Sequence, residues 1–107
     1  MDDFRHMALG LPLAVEQPHF GSPSFRVNGK IFAQLSADGA TGLVKLPQPQ
    51  QAWAVATYPE MCIVEPQWGR HGWTRLVLAE IPADLLRELL AQSWRSVTPR
   101  ALHGRLA

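Results

Sequence analysis

The stretch SFRVNGKIFAQL, residues 24–35, carries the strongest local signal for the fold. Asn28 and Gly29 lie between two runs of residues that favour β-strands. An Asn-Gly pair in this position is typical of a two-residue type I′ hairpin turn, which requires positive φ at both residues. We therefore predict a hairpin with Asn28 and Gly29 at its tip.

The predicted register of this hairpin places Phe25 opposite Phe32 and Arg26 opposite Ile31. Both faces of the hairpin are then partly apolar. Either helices cover one face and another part of the chain shields the other, or the loop is longer and the register differs. The sequence leaves both possibilities open.

Outward from the hairpin, the chain alternates between strand and helix patterns. Residues 82–97 form the clearest helix pattern, with Pro82 at the start and a broad apolar stripe along one side. Ala52, Trp53 and Ala56 are predicted to share one face of an earlier helix. The remaining predicted elements are a helix at 2–10, strands at 41–47, 60–66 and 73–80, and a helix within 47–59.

The predicted order is α-β(3)-α-β(2)-α, and the chain length of 107 residues corresponds to one domain, 1–107. Strands joined by hairpins imply an antiparallel sheet, and the amphipathic helices need one face of it. We predict an α+β fold with two layers and with the helices on one face of the sheet. Its core is expected to include Phe4, Leu86, Leu89, Leu90 and Trp94.

The amino-acid composition limits the classes of protein to which the chain can belong. The net charge is +1, charged residues make up 18%, and no apolar run approaches the roughly 20 residues of a membrane helix. We expect a cytoplasmic protein without a membrane partner.

Cys62 is the single cysteine, so no internal disulfide can form. Its apolar surroundings indicate a buried structural thiol.

The basic charge is concentrated in the second part of the chain. Residues 1–66 contain four basic and six acidic side chains, whereas residues 67–107 contain six arginines and three acidic side chains. Arginine is well suited to bidentate contacts with phosphate or carboxylate groups. A solvated surface with some salt bridges is the alternative interpretation.

The sequence QWGRHGW, residues 67–73, joins two predicted strands. It has three interpretations. It is a hairpin tip shaped by Trp68, Gly69, Gly72 and Trp73, or it is a basic wing from which Arg70 and His71 reach a phosphate backbone. The flanking aromatic residues could instead line a pocket for a small molecule or a peptide.

No catalytic or metal-binding motif is present. The four histidines show no metal-ligand spacing, and there is no nucleophile elbow, Walker loop or dinucleotide fingerprint. We therefore predict no enzyme activity, no cofactor and no metal site. An enzyme with unmarked carboxylates is the least favoured hypothesis.

Several stretches resemble the MmcQ/YjbR family of small bacterial proteins. They follow one another in order over nearly the whole chain, and the most specific are PSFRV with GKIFA and the HGW that precedes a strand. The full set is FRHMALGLP, VEQPHFGSPSFRVNGKIFAQL, VKLP, RHGWTRLVL and LLRELLAQSWRSVTPRAL. The resemblance implies a fold like that of secretion chaperones, a DNA-binding label and no catalytic motif.

Our first hypothesis is a non-enzymatic binding domain that binds nucleic acid weakly and without sequence preference. The predicted contact residues are Arg26, Lys30, Arg70, His71, Arg75, Arg95, Arg100 and Arg105. The alternative is a protein-interaction or self-association module that uses an apolar sheet face or edge. We expect a monomer or a weak homodimer, with DNA or a protein as the partner. Arginines on one surface would favour the first hypothesis, and a large exposed apolar patch would favour the second.

Overall fold

The structure, a computed structural model, describes residues 2–106; Met1 and Ala107, the ends of the predicted domain, lie outside the described residues. Six strands form one sheet: β1 Val15–His19, β2 Ser22–Val27, β3 Lys30–Leu35, β4 Thr41–Lys45, β5 Cys62–Val64 and β6 Trp73–Val77. Four helices accompany it: α1 Asp2–Leu9, α2 Gln48–Thr57, α3 Ala83–Val97 and α4 Arg100–His103. A short 3-10 helix, Gly69–His71, lies between β5 and β6.

The predicted fold class, an α+β domain with helices packed on an antiparallel sheet, is confirmed. The strand order is β1-β2-β3-β4-β6-β5, and all neighbouring strands are antiparallel. The predicted order had one strand too few before α2, because four strands precede it. The additional strand is β1, whose strand signal is weakened by Pro18. It lies at the sheet edge, where a residue without an N–H is tolerated.

The hairpin between β2 and β3 has the predicted two-residue turn. Asn28 and Gly29 have φ of 53° and 80°, which confirms positive φ at both positions. Arg26 lies opposite Ile31, as predicted. The longer loop considered as an alternative does not occur.

Beyond Arg26 the predicted register is wrong, because Phe25 lies opposite Ala33 instead of Phe32. The partner moves by two residues on β3 for one residue on β2, so Phe32 is the extra residue of a β-bulge. Phe32 and Ala33 are consequently both buried. The bulge moves apolar residues that strict alternation would place on opposite faces into one core.

The core lies between the sheet and its helices. Phe4 of α1 and the predicted residues of α3 are buried, which confirms the predicted core. The Phe4 ring lies over β4 at Gly42, where the Cβ of any other residue would overlap it. Close approach, and not an unusual φ, therefore explains this glycine. The buried residues of α3 are Leu86, Leu89, Leu90, Ala91, Ser93 and Trp94.

Two polar side chains hold α3 in place. The Ser93 hydroxyl donates a hydrogen bond to the Phe32 carbonyl and accepts one from the Lys45 N–H at 2.7 Å. The Trp94 Nε1–H donates to the Pro12 carbonyl at 2.9 Å. The helix is thereby connected to β3, β4 and the loop after α1, and these buried polar groups have partners.

The apolar residues that the sequence places on one face of α2 are not the residues that pack against the sheet. Ala52, Trp53 and Ala56 are exposed, whereas Gln51 and Ala54 are buried. The Gln51 side-chain amide turns inward and donates to backbone carbonyls of the β5–β6 connection. Hydrogen bonding therefore outweighs apolarity in choosing this face. Within residues 2–106, no helix is long and apolar enough to cross a membrane.

Candidate ligand-binding site

The face of the sheet opposite the helices, which we call the open face, carries polar, basic and aromatic side chains. Register determines this division, because the residues between the buried positions of each strand point away from the core. Arg26 lies opposite Ile31, and Leu43 lies opposite Arg75. On the four central strands the open face includes Ser22, Arg26, Ile31, Gln34, Leu43, Lys45, Trp73 and Arg75. Ser24 lies on the same side but is fully buried, and its hydroxyl accepts a hydrogen bond from Arg26 Nε.

A concave cavity of about 510 Å³ lies on the open face. Ile31 and Leu43 provide apolar surface, and Phe20, Trp68 and Trp73 provide aromatic surface. The volume lies within the roughly 300–1,000 Å³ typical of small-ligand sites. Further polar side chains line the cavity: His19, Ser22, Gln34, Glu65 and Gln67.

Glu65 fixes one wall of the cavity. Its Oε1 accepts hydrogen bonds from the Gln67 N–H at 2.7 Å and the Trp68 N–H at 2.8 Å. Its Oε2 accepts from Arg75 Nη2 at 3.3 Å. The carboxylate is thus held on both sides, and it orients the turn from which Trp68 projects.

The 3-10 helix that follows Trp68 is held by α2. Gln48 Nε2 donates to the Arg70 carbonyl, and Gln51 Nε2 donates to the Gly69 carbonyl, each at 2.9 Å. Gly72 ends the turn with a φ of 97°, and a Cβ there would overlap the Leu46 carbonyl oxygen. This left-handed conformation and close approach together require glycine.

The opposite wall is the turn between β1 and β2, which presents Phe20. Phe20 and Gly21 have φ of 52° and 82°, and the Phe20 side chain is 96% exposed. The His19 ring meets the Phe20 ring edge-on, with 4.6 Å between centroids. Arg26 Nη2 lies 3.5 Å from His19 Nδ1. Phe20 is thereby linked through His19 to a basic side chain of the open face.

Comparison with known proteins identifies the family of the chain. The model of the YjbR family matches residues 9–96, which include the open face and both walls of the cavity. The chain belongs to the YjbR family. None of the curated proteins compared with the chain matches it.

The fold of this YjbR domain is also found in the crystal structure of the Deinococcus radiodurans protein DR2400, which has a DUF419 domain. The TM-score is 0.81 at 23% sequence identity, and the match covers 94% of this chain and 79% of that chain. At this identity the likeness shows a shared fold and does not assign a ligand.

Four of the predicted contact residues lie on or near the open face of the YjbR domain. Arg26 and Arg75 project from its central strands. Arg70 and His71 lie in the exposed 3-10 helix next to Trp68. Among residues 2–106, neither Arg26 nor Arg70 forms a salt bridge, whereas Arg75 is paired with Glu65.

The other four predicted contact residues lie elsewhere. Lys30 lies opposite the buried Val27, so the register places it on the face away from Arg26. Arg95 lies on α3 with its Nη1 3.9 Å from Glu88 Oε2. Arg100 is on α4 and Arg105 follows it. The YjbR fold therefore does not bring all eight predicted residues onto one surface.

The side chains that could support metal or thiol chemistry are dispersed in this YjbR domain. Within the described part of the chain, no three His, Cys, Asp or Glu side chains are grouped closely enough to hold a metal ion. The Cys62 side chain is buried, and burial raises the pKa of its thiol. A thiol with a raised pKa is a poor nucleophile at neutral pH.

Sequence reasoning missed two important residues of the cavity, Phe20 and Glu65. A Phe-Gly pair is not a usual turn signal, so the sequence does not single out Phe20. No motif distinguishes Glu65 from the other carboxylates of the chain. Its role depends on the distance to Arg75, which is ten residues away in sequence.

Proposed function

We propose that this YjbR domain is a non-enzymatic binding domain that binds nucleic acid weakly and without sequence preference through its open face. The observation that carries the proposal is the combination on one face of unpaired basic side chains with exposed aromatic rings. Arg26 and Lys45 lie on strands of the open face. Trp68 and Phe20 line the cavity on that face, and Arg70 follows Trp68 by two residues. Basic grooves with aromatic platforms are typical of nucleic-acid binding.

The charges favour an anionic ligand over a cationic one. Glu65 is the one carboxylate among the described residues that line the cavity, and Arg75 already neutralises it. The other basic groups of the open face have no acidic partner within residues 2–106. A phosphate backbone would supply the missing negative charge, mainly through long-range Coulombic attraction.

The separation of the predicted arginines narrows the proposed contact surface. Arg95, Arg100 and Arg105 lie on the helical side and are not included. The proposed contacts are Arg26, Lys45, Arg70, His71 and Arg75. With so few cations, we expect a dissociation constant of about 10⁻⁴–10⁻⁶ M at physiological salt, the range of non-specific binding.

A second candidate function is a protein-interaction or self-association module. It is favoured by the outer edge of β5, where Ile63 and Val64 are exposed apolar residues of an edge strand. Such an edge can accept a strand from a partner or from a second copy. By contrast, the other edge strand, β1, contains Pro18, which cannot donate to an added strand.

The test is a DNA titration of the full chain at 50 and 200 mM salt. Arg26→Ala should weaken binding, and the matched control Arg100→Ala, on the helical side, should not. The molecular mass in solution, measured in parallel by light scattering, tests the second candidate. If the wild type binds no DNA at low salt and forms a dimer that Ile63→Lys disrupts, the interaction module replaces the nucleic-acid binder.

A further inference from the structure

Two neighbouring two-residue hairpin turns in this protein have nearly the same φ values but different sequences. Asn28 and Gly29 have φ of 53° and 80°, and Phe20 and Gly21 have φ of 52° and 82°. Asparagine tolerates this left-handed conformation, whereas a bulky residue such as phenylalanine is rare in it. Among residues 2–106 the third non-glycine residue with positive φ is Leu13, in the irregular loop after α1.

Packing within the chain does not explain why residue 20 is a phenylalanine either. Its side chain is 96% exposed, and its described aromatic contact is the edge of the His19 ring. The residue is therefore unfavourable both for the turn and for an isolated surface. Strained backbone conformations cluster at active sites, ligand clamps and switch regions, so the conformation of Phe20 points to a function of its side chain.

Across the cavity from this turn, the chain presents a second exposed aromatic ring. Trp68 is 52% exposed and lines the same cavity as Phe20. The hydrogen bonds of Glu65 fix the turn that carries Trp68, and the His19 ring contacts the Phe20 ring edge-on. Two exposed aromatic rings that line one cavity offer stacking surfaces to a planar ligand.

We infer that the cavity binds an unpaired base of single-stranded nucleic acid, with Phe20 and Trp68 as its stacking surfaces. This inference rests on the proposed function and specifies its ligand. The π-faces of bases in a duplex are covered by neighbouring base pairs, so exposed rings gain contact only with unpaired bases. Arg26, which touches His19, lies where the adjoining phosphates can be neutralised.

The experiment measures fluorescence anisotropy of a labelled oligo(dT) 12-mer, an oligo(U) 12-mer and a 12-base-pair duplex, titrated with the full chain. The wild type should bind both single strands at least about 10-fold more tightly than the duplex. Similar affinity for the DNA and RNA strands is expected, because stacking does not involve the sugar. Phe20→Asn should weaken single-strand binding by about 5- to 150-fold, the equivalent of one stacked base, and leave duplex binding unchanged.

The variants are chosen so that unfolding cannot imitate the result. Phe20→Asn gives the turn the same Asn-Gly pair as its neighbour, so the fold should be at least as stable. Trp68→Ala should also weaken single-strand binding. Trp53→Ala is its matched control, because Trp53 is 50% exposed but lies on α2, away from the cavity. This control should bind like the wild type.

The outcomes separate the inference from the proposed function. Equal affinity for single strand and duplex, or a Phe20→Asn variant that binds like the wild type, overturns the base site and leaves non-specific binding intact. No binding of any strand at low salt overturns both. If Phe20→Asn instead abolishes dimer formation by light scattering, the occupant is a second copy and the base site is also overturned.

Discussion

The turn at Phe20 and Gly21 and the turn at Asn28 and Gly29 are 8 residues apart in sequence and have nearly the same φ values. The second has the residues that the conformation prefers, and the first does not. The second turn joins the two strands that carry the bulge of the core. The first turn borders a cavity on the open face. The difference indicates that one turn is optimised for folding and that the other gives up some stability for exposure of an aromatic ring.

The largest loss of stability is expected from a substitution in the core, and it provides a reference for the effects at the two turns. Leu89 of α3 is fully buried. Leu89→Ala should lower the free energy of unfolding by about 2–5 kcal/mol, because it leaves a cavity in a packed site. Urea denaturation measures it. A midpoint that hardly moves would mean that α3 is peripheral to the core.

Introducing the unfavourable residue into the favourable turn should have the next largest effect. Asn28→Phe places a bulky side chain at φ near 53°, without a cavity or a histidine ring beside it. We expect a loss of about 1–3 kcal/mol in the free energy of unfolding. Thermal and urea denaturation both report it. A variant as stable as the wild type would show that phenylalanine is not strained in this conformation, at residue 28 or at residue 20.

Substitution of the glycine in each turn tests whether the two turns have equivalent backbone conformations. Gly21→Ala and Gly29→Ala should each cost about 1–2 kcal/mol, because alanine disfavours φ near +80°. A Cβ at either position would have no atom within 4 Å, so clashes do not contribute. The two losses should therefore agree within about 0.5 kcal/mol. Unequal losses would show that the turns differ in more than their sequence.

Relieving the strained turn should have a smaller effect of opposite sign. Phe20→Asn should raise the free energy of unfolding by about 1 kcal/mol, since it exchanges a strained residue for one that tolerates the conformation. The melting temperature should rise by about 4–8 °C for a domain of this size. A lower melting temperature would indicate that contacts of the Phe20 ring stabilise the fold.

The smallest effect on stability is expected at the 3-10 helix. Arg70→Ala should change the free energy of unfolding by less than about 0.5 kcal/mol, because the side chain is exposed and glycines determine the turn. Under the proposed function, the same substitution should reduce the slope of log affinity against log salt by about one. An unchanged slope would exclude Arg70 from the contact surface.

Much of the fold could be predicted because its signals are local. The Asn-Gly turn and the leucine stripe of α3 depend on neighbouring residues alone. The candidate site was less predictable. Arg26, Arg70 and Arg75 were predicted to bind ligand and do lie on or near one face, but Lys30 and the C-terminal arginines lie elsewhere. Their distribution depends on strand pairing and helix docking.

By itself, the sequence determined the α+β class, the hairpin at Asn28, the apolar face of α3 and the membership of the YjbR family. Only the tertiary structure decided the bulge at Phe32, the edge strand β1, the inward turn of Gln51 and the cavity between Phe20 and Trp68. The physical reason is the separation in sequence between the residues that interact. Turn and helix preferences arise within a few residues, whereas register, hydrogen bonds across elements and exposure of a ring arise only when distant strands meet.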